Sequence, residues 1–349
     1  MPLPLFLIAG AIVAGGSGLG LGIAGTSKMV KTNKRMKEAR ERDQQNMNRF
    51  KKTQERTSIT MDELGKLELD TLSSFKEFSE LFERIKNKPD FKDIKIDRFK
   101  IPTFNHKELE KVYVGAGALI SGLGGAALGT AGGLAASGAT TAAVMALGTA
   151  STGTAISSLS GAALTNATLA ALGGGSLAAG GGGVALGTTV LGAATAGVGI
   201  LVGGAIFFIA GSSMSKKADK SVEQVAENEA KIDRICDYLD HLNFESKKYY
   251  RTLDRVKAIY DRELAAMKIM VNEKTSGKTN GIVDWHCLTK EEQLYVENTV
   301  MLVGVLYNMC KVNLVIKSKE VDGLNSINYV DINKAEDEAQ ACLEYFKAA

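Results

Sequence analysis

Apolar residues along this chain follow three different rules. In residues 28–88 they recur at helical spacing, at Met47, Phe50, Met61, Leu64, Leu72, Phe75, Phe78, Phe82 and Ile85, the pattern of a long helix that buries one stripe. From Ile232 the spacing becomes a heptad. One column runs Ile232, Leu239, Ser246, Leu253, Tyr260, Met267 and the other Ile235, Leu242, Tyr249, Val256, Glu263, Met270, with Ser246 and Glu263 as breaks. Such a seam predicts a long helix lying along another helix. Residues 28–88 supply the natural partner; pairing of two copies of the chain is the competing arrangement. Residues 112–215 obey neither rule. They contain no Asp, Glu, Lys, Arg or His, in a chain that is 23% charged.

A soluble helix interrupts its apolar stripe with polar faces, and a water-exposed linker of this length would carry charge. Lipid is the solvent that excludes it, since a charge at the bilayer centre costs about 2.5–3.5 kcal/mol on insertion scales. Small residues recur at every fourth position, at Gly117, Ser121, Gly125, Gly129 and Gly133, and again at Gly199 and Gly203. In water each glycine would cost its helix about 1 kcal/mol relative to alanine. In a bilayer the same stripe lets helix backbones approach closely. The middle, residues 137–189, is richer in Ser, Thr and Gly, and glycine clusters at 173–175 and 180–183 read as turns. The expectation is a glycine-zipper helical hairpin that inserts into membrane, flanked by long amphipathic, coiled-coil helices: an all-α fold.

The remaining signals divide the chain into 1–27, an apolar anchor; 28–111, a basic and then mixed-charge helix with a connector; 112–215, the membrane-active region; 216–276, the heptad helix; and 277–349, a C-terminal helical unit. Residues 1–27 are long enough to cross ~30 Å of hydrocarbon. They hold no cation before Lys28, so an uncleaved anchor is expected rather than a signal peptide. A buried helix docked on the second charge-free region is the alternative. The cluster Lys28, Lys31, Lys34, Arg35 and Lys37 suits anionic headgroups at about 1 kcal/mol per near-surface cation, and keeps this side cytoplasmic. Pro89 marks the end of the first helix. Residues 91–104 read as an extended connector or short edge strand, and Asn105 to Glu108 as a helix start. A turn at 277–281 and a capping box at Thr289 and Glu292 precede a core helix over 294–316, and a last helix covers 333–347.

Composition adds little chemistry. Net charge is +3, and no aromatics interleave the basic run, which argues against nucleic acid. Cys236, Cys287, Cys310 and Cys342 lack metal or redox spacing. Gly277-Lys278-Thr279 ends like a phosphate loop, but Asn272 stands where its first glycine belongs and a helix precedes it. Gly20, Gly22 and Gly25 match a dinucleotide fingerprint without the strand–helix–strand unit it needs. His106, His241 and His286 are scattered, His241 reading as a solvated or lightly packed helix residue and Trp285 as a core or interface anchor. No catalytic constellation, metal site or cofactor is expected.

The motif STGTAISSLSGAA over residues 151–163, with NATL at 166–169 and LGGGSLAAGGGG at 172–183, resembles a set of largely uncharacterised bacterial proteins with a glycine-rich hydrophobic centre. Their layout of short apolar N-terminus, charged helix, centre and second charged helix covers most of this chain. Ala171 departs from the aromatic expected there. The resemblance implies no catalytic residues. The architecture is also similar to α-helical pore-forming proteins, by analogy of design rather than descent.

These readings converge on a non-enzymatic, membrane-active protein, an oligomeric pore-forming or membrane-perturbing effector of the toxin or defence type. Its partners would be a lipid bilayer, further copies of itself, and a protein held through the charged helices. The alternative is a constitutive membrane-anchored coiled-coil scaffold that recruits partner proteins. The expected location is the bacterial inner membrane with the charged helices cytoplasmic; the weakly apolar middle is compatible with a soluble form before insertion.

Overall fold

The computed structural model describes residues 23–91, 95–96, 99–100, 106–122, 218–276, 281–316 and 324–348. These are 86% helical in five helices, the all-α class that the periodicity predicts. In order they are α1 (Ile23–Glu83), β1 (Ile85–Lys86), β2 (Lys95–Ile96), β3 (Phe99–Lys100), α2 (His106–Gly122), α3 (Ala218–Thr275), β4 (Val283–Asp284), a 3-10 turn (Trp285–Cys287), α4 (Lys290–Lys311), β5 (Val315–Ile316), β6 (Ser326–Ile327) and α5 (Tyr329–Ala348).

α1 has 61 residues and α3 has 58, so each is about 90 Å long at 1.5 Å per residue. They lie side by side and run in the same direction. Arg49 pairs with Asp233 and Arg56 with Asp240. Further along, Thr60 Oγ1 donates to Asn243 Oδ1 at 2.7 Å, Tyr260 Oη to the carbonyl of Ser74 at 3.3 Å, and Lys268 pairs with Glu77 at 2.6 Å. Partners on both helices advance together, which is the signature of a parallel pair. The strands that follow repeat it: β1 and β4 pair in parallel, Ile85 opposite Val283.

Around the later part of this stalk a C-terminal unit thickens the pair into a bundle. α4 runs antiparallel to α3, with Asn298 Nδ2 donating to Glu263 Oε2 at 3.1 Å and Tyr249 Oη to the carbonyl of Met309 at 2.8 Å. It is buried from Val296 to Cys310 on nearly every side, as a helix enclosed by others must be. α5 packs on α3 and α4, tied by Lys248 to Glu336 and by Asn308 to Glu338. α2 follows α1: Glu108 near its start meets Tyr307 and Lys311 toward the end of α4, while Tyr113 bonds Ser79. Chain that leaves α2 therefore departs toward the end where α1 finishes, and rejoins at the start of α3, alongside the early turns of α1.

The apolar interior has two parts. The larger gathers Met61, Leu72, Phe75, Tyr249, Tyr260 and the buried side of α4; the smaller, toward the free end of the stalk, holds Phe50, Ile232, Ile235, Cys236 and Leu239. Thr57, Thr60 and Asn243 lie in the same seam at the boundary.

Several boundaries differ from the periodicity. α1 stops at Glu83 rather than at Pro89, because Ile85 and Lys86 are drawn into pairing with Val283 and Asp284. α4 starts at its capping box, where Thr289 accepts from Glu292 N at 3.2 Å and donates its own N–H to Glu292 Oε2 at 2.7 Å. It ends at Lys311, since Val315 and Ile316 form a strand with β6. α5 begins before residue 333 because Asn328 Oδ1 accepts from Asp331 N at 3.4 Å, an N-terminal cap that the apolar pattern did not register. Residues 91–104 include a short antiparallel hairpin, β2 with β3.

Candidate functional site

All six seam residues named from the heptad, Ile232, Ile235, Leu239, Leu242, Leu253 and Val256, are buried. Their seam is occupied inside the chain, by α1 and α4, so a second copy is not needed to cover it. The heptad breaks are accommodated. Ser246 donates to the carbonyl of Leu242 at 2.7 Å, with Met61 Sδ 2.9 Å away. Glu263 accepts from Arg262 and Asn298.

Lys28, Lys31, Lys34, Arg35 and Lys37 fall in the opening turns of α1, whose side chains are outside the described part. Extending the stalk register places these turns beside the start of α3, which carries Lys220 and directly follows Lys216 and Lys217 in sequence. Cationic positions of both helices thus share one end. Of the small-residue stripe, Gly117 and Ser121 lie in α2. Among the described residues, a Cβ placed on Gly117 would meet nothing within 4 Å. Gly125, Gly129, Gly133, Gly199 and Gly203 lie outside the described residues, as does the first apolar run up to residue 22.

The opposite end is a lock. Arg84 forks to the carbonyl of Gly281 at 3.1 Å, Asn272 Oδ1 at 3.0 Å and Thr275 Oγ1 at 2.7 Å. Phe78, Phe82, Phe91 and Trp285 form a chain of ring contacts 5.2–5.8 Å apart. Trp285 is the buried anchor its sequence context suggests. Asp284 accepts from His286 N at 2.9 Å, and that N–H with Asn87 holds its carboxyl below the ordinary carboxylate value.

Among the described residues no group of three or more His, Cys, Asp or Glu could hold a metal ion, and no helix is long and apolar enough to cross a membrane. All four cysteines are free thiols. Lys278 and Thr279 are outside the described residues, and the element before them is α3, not the strand a phosphate loop needs.

Sequence reasoning missed the polar chemistry at the heart of the bundle. Glu68 of α1 is completely buried, and neither carboxyl oxygen has a hydrogen-bond partner. Burial alone pushes its carboxyl well above the ordinary value. Tyr249 and Cys310 flank it, and burial raises both of these too. The signal was present: Glu68 continues the spacing Met61, Leu64, Leu72 and so stands on the apolar stripe of α1.

Comparison of the chain with family models, curated proteins and solved structures gives no match.

Proposed function

We propose that this is a non-enzymatic membrane-active protein in which a long parallel stalk presents charge-free sequence to a bilayer, acting as an oligomeric pore-forming or membrane-perturbing effector. The parallel register of α1 and α3 supports it. α1 begins within the last residues of charge-free stretch 1–27 and α3 begins three residues after charge-free stretch 112–215, and a parallel pair brings those two junctions to the same end. An antiparallel pair would send them about 90 Å apart. Cations follow each junction, as anionic headgroups favour, and the locked end with α4 and α5 lies away from it. Ser and Thr faces of the central region would line a pore while Ala, Leu and Val faces meet lipid.

Topology limits how the centre inserts. With α2 in place, the chain must return roughly 75 Å along the stalk before α3 begins, which takes about 25 residues if extended or 50 if helical. What remains suffices for two or three spans of ~20 residues. Four spans require α2 to leave the bundle.

Dye release from anionic vesicles tests the reading. Release by the full-length chain that is lost in Gly125→Leu/Gly129→Leu supports insertion through the small-residue stripe. Tight vesicle binding without release supports the constitutive anchor and scaffold instead. A protein that ignores vesicles of every composition sinks both.

A further inference from the structure

Glu68 sits where α1, α3 and α4 meet, and each neighbouring donor is committed elsewhere. From α3, the Tyr249 hydroxyl donates to the carbonyl of Met309 at 2.8 Å. From α4, the Cys310 thiol points to the main-chain carbonyl of Glu68, 3.9 Å away, not to its carboxyl. Two cations near this level are paired elsewhere: Lys248 of α3 with Glu336 of α5, and Lys311 of α4 with Glu108 of α2. The other acidic groups near Tyr249 are Glu336 and Glu338, which would repel a second negative charge. The remaining buried carboxylates have a donor on at least one oxygen: Glu263 accepts from Arg262 and Asn298, and Glu336 accepts from Lys248 through Oε2 while its Oε1 has no partner.

An ionised carboxylate enclosed without donor or counter-ion costs far more than a protein of ordinary stability can sustain. The packed arrangement therefore requires the neutral acid, and losing the proton requires water or a donor to reach the joint. We propose that Glu68 is a proton-dependent latch: α4 seats against α1 and α3 while the carboxyl is neutral, and the joint opens when it ionises. The bundle tightens as pH falls and loosens as pH rises. An unfolded chain releases this proton near the ordinary value of 4.5, whereas the folded bundle keeps it to higher pH. Over that interval the unfolded state binds fewer protons, so each pH unit multiplies the unfolding equilibrium constant by about ten. Acidification therefore holds this joint shut, and a rise in pH releases it. The latch belongs to the helical unit itself and stands whether or not a bilayer is its final partner.

Urea unfolding of the full-length chain between about pH 5 and pH 8, compared with Glu68→Gln, isolates this one group. Other carboxylates titrate equally in both proteins, and a buried carboxamide carries a penalty that pH does not change. The expected result is that the wild type loses close to tenfold per pH unit relative to Glu68→Gln until Glu68 ionises in the folded state. Superimposable pH profiles overturn the proposal. Difference infrared spectroscopy of the same pair, followed upward from about pH 5, reads the group directly: a protonated-carboxyl stretch that outlasts the ordinary carboxylate range in wild type and is absent from Glu68→Gln supports the latch, and a wild type with no such stretch above that range overturns it. Should Glu68→Gln fail to fold, the wild-type band decides alone, since it must persist while the unfolding midpoint falls with pH and vanish where that fall levels off.

Discussion

Single side chains set how tightly the stalk closes. Thr57, Thr60 and Asn243 are buried where leucines would make a stronger seam. Thr60 donates to Asn243 at 2.7 Å, and Thr57 reaches across to the carbonyl of Leu239 at 3.1 Å. A polar residue at a seam position selects register and direction at a cost in stability. Thr60→Val alone leaves the Asn243 carboxamide short of its donor and should cost about 1–2 kcal/mol; Thr60→Val with Asn243→Leu removes both polar groups and should recover that loss or exceed wild type by urea unfolding. A double-mutant cycle that is additive would show the pair to be uncoupled. Tyr249→Phe tests the bundle centre. It removes one of two donors to the Met309 carbonyl, which keeps the Val312 N–H at 3.1 Å, and should cost about 1 kcal/mol with no change in helix content by circular dichroism. The flanking ion pairs, Arg49 with Asp233 and Arg56 with Asp240, are about half exposed, so each adds at most about 1 kcal/mol and serves register more than stability.

At the scale of elements, termini were decided by local chemistry that periodicity does not carry. The capping box at Thr289 is readable because both its members follow a sequence rule, and the structure forms both of its bonds. Thr289→Ala should lower stability by about 1 kcal/mol, seen as a shifted urea midpoint with unchanged slope. The cap at Asn328 bonds locally to Asp331 but is itself held by the carbonyls of Asn313 and Leu314, and the end of α1 at Glu83 depends on partners distant in sequence. Ile85 leaves helical geometry because Val283 N donates to the carbonyl of Arg84 at 2.9 Å. Gly281 in the same corner has φ of +59°, where a side chain is strained, so Gly281→Ala should destabilise the lock by about 1 kcal/mol in the same assay. Carboxylates here oppose Glu68 in sign. Burial alone would raise Glu292, but the Thr289 N–H and Lys274 outweigh it and hold it low; Asp284 is low for the N–H of His286. Their stabilisation is present above the ordinary carboxylate range and is lost as pH falls through their own, depressed values.

For the whole molecule, the parallel stalk is the arrangement on which the membrane reading leans, and it can be tested without lipid. In a background free of the native cysteines, Arg49→Cys with Asp233→Cys should be bridged by a short bifunctional thiol cross-linker, since the two positions pair across the stalk. Arg49→Cys with Asp261→Cys should not, because the second position lies far along α3. The reverse outcome would remove the shared end on which both charge-free stretches converge. The all-α class, the two long helices, the burial of the six seam residues and the core character of α4 were all written in local spacing, because a helix returns each side chain to one face every three or four residues. Direction was not. A heptad seam fits a parallel or an antiparallel neighbour equally well, and the sequence between α1 and α3 is long enough to connect either. Nor did spacing reveal that a carboxyl on the stripe of α1 would be enclosed with no donor, since burial of Glu68 is imposed by α3 and α4 together. Sequence alone determined which faces must be hidden from water, because that follows from each residue's own chemistry and its helical period. Only the tertiary structure decided what hides them, because helix direction and the pairing of buried polar groups arise between elements distant along the chain.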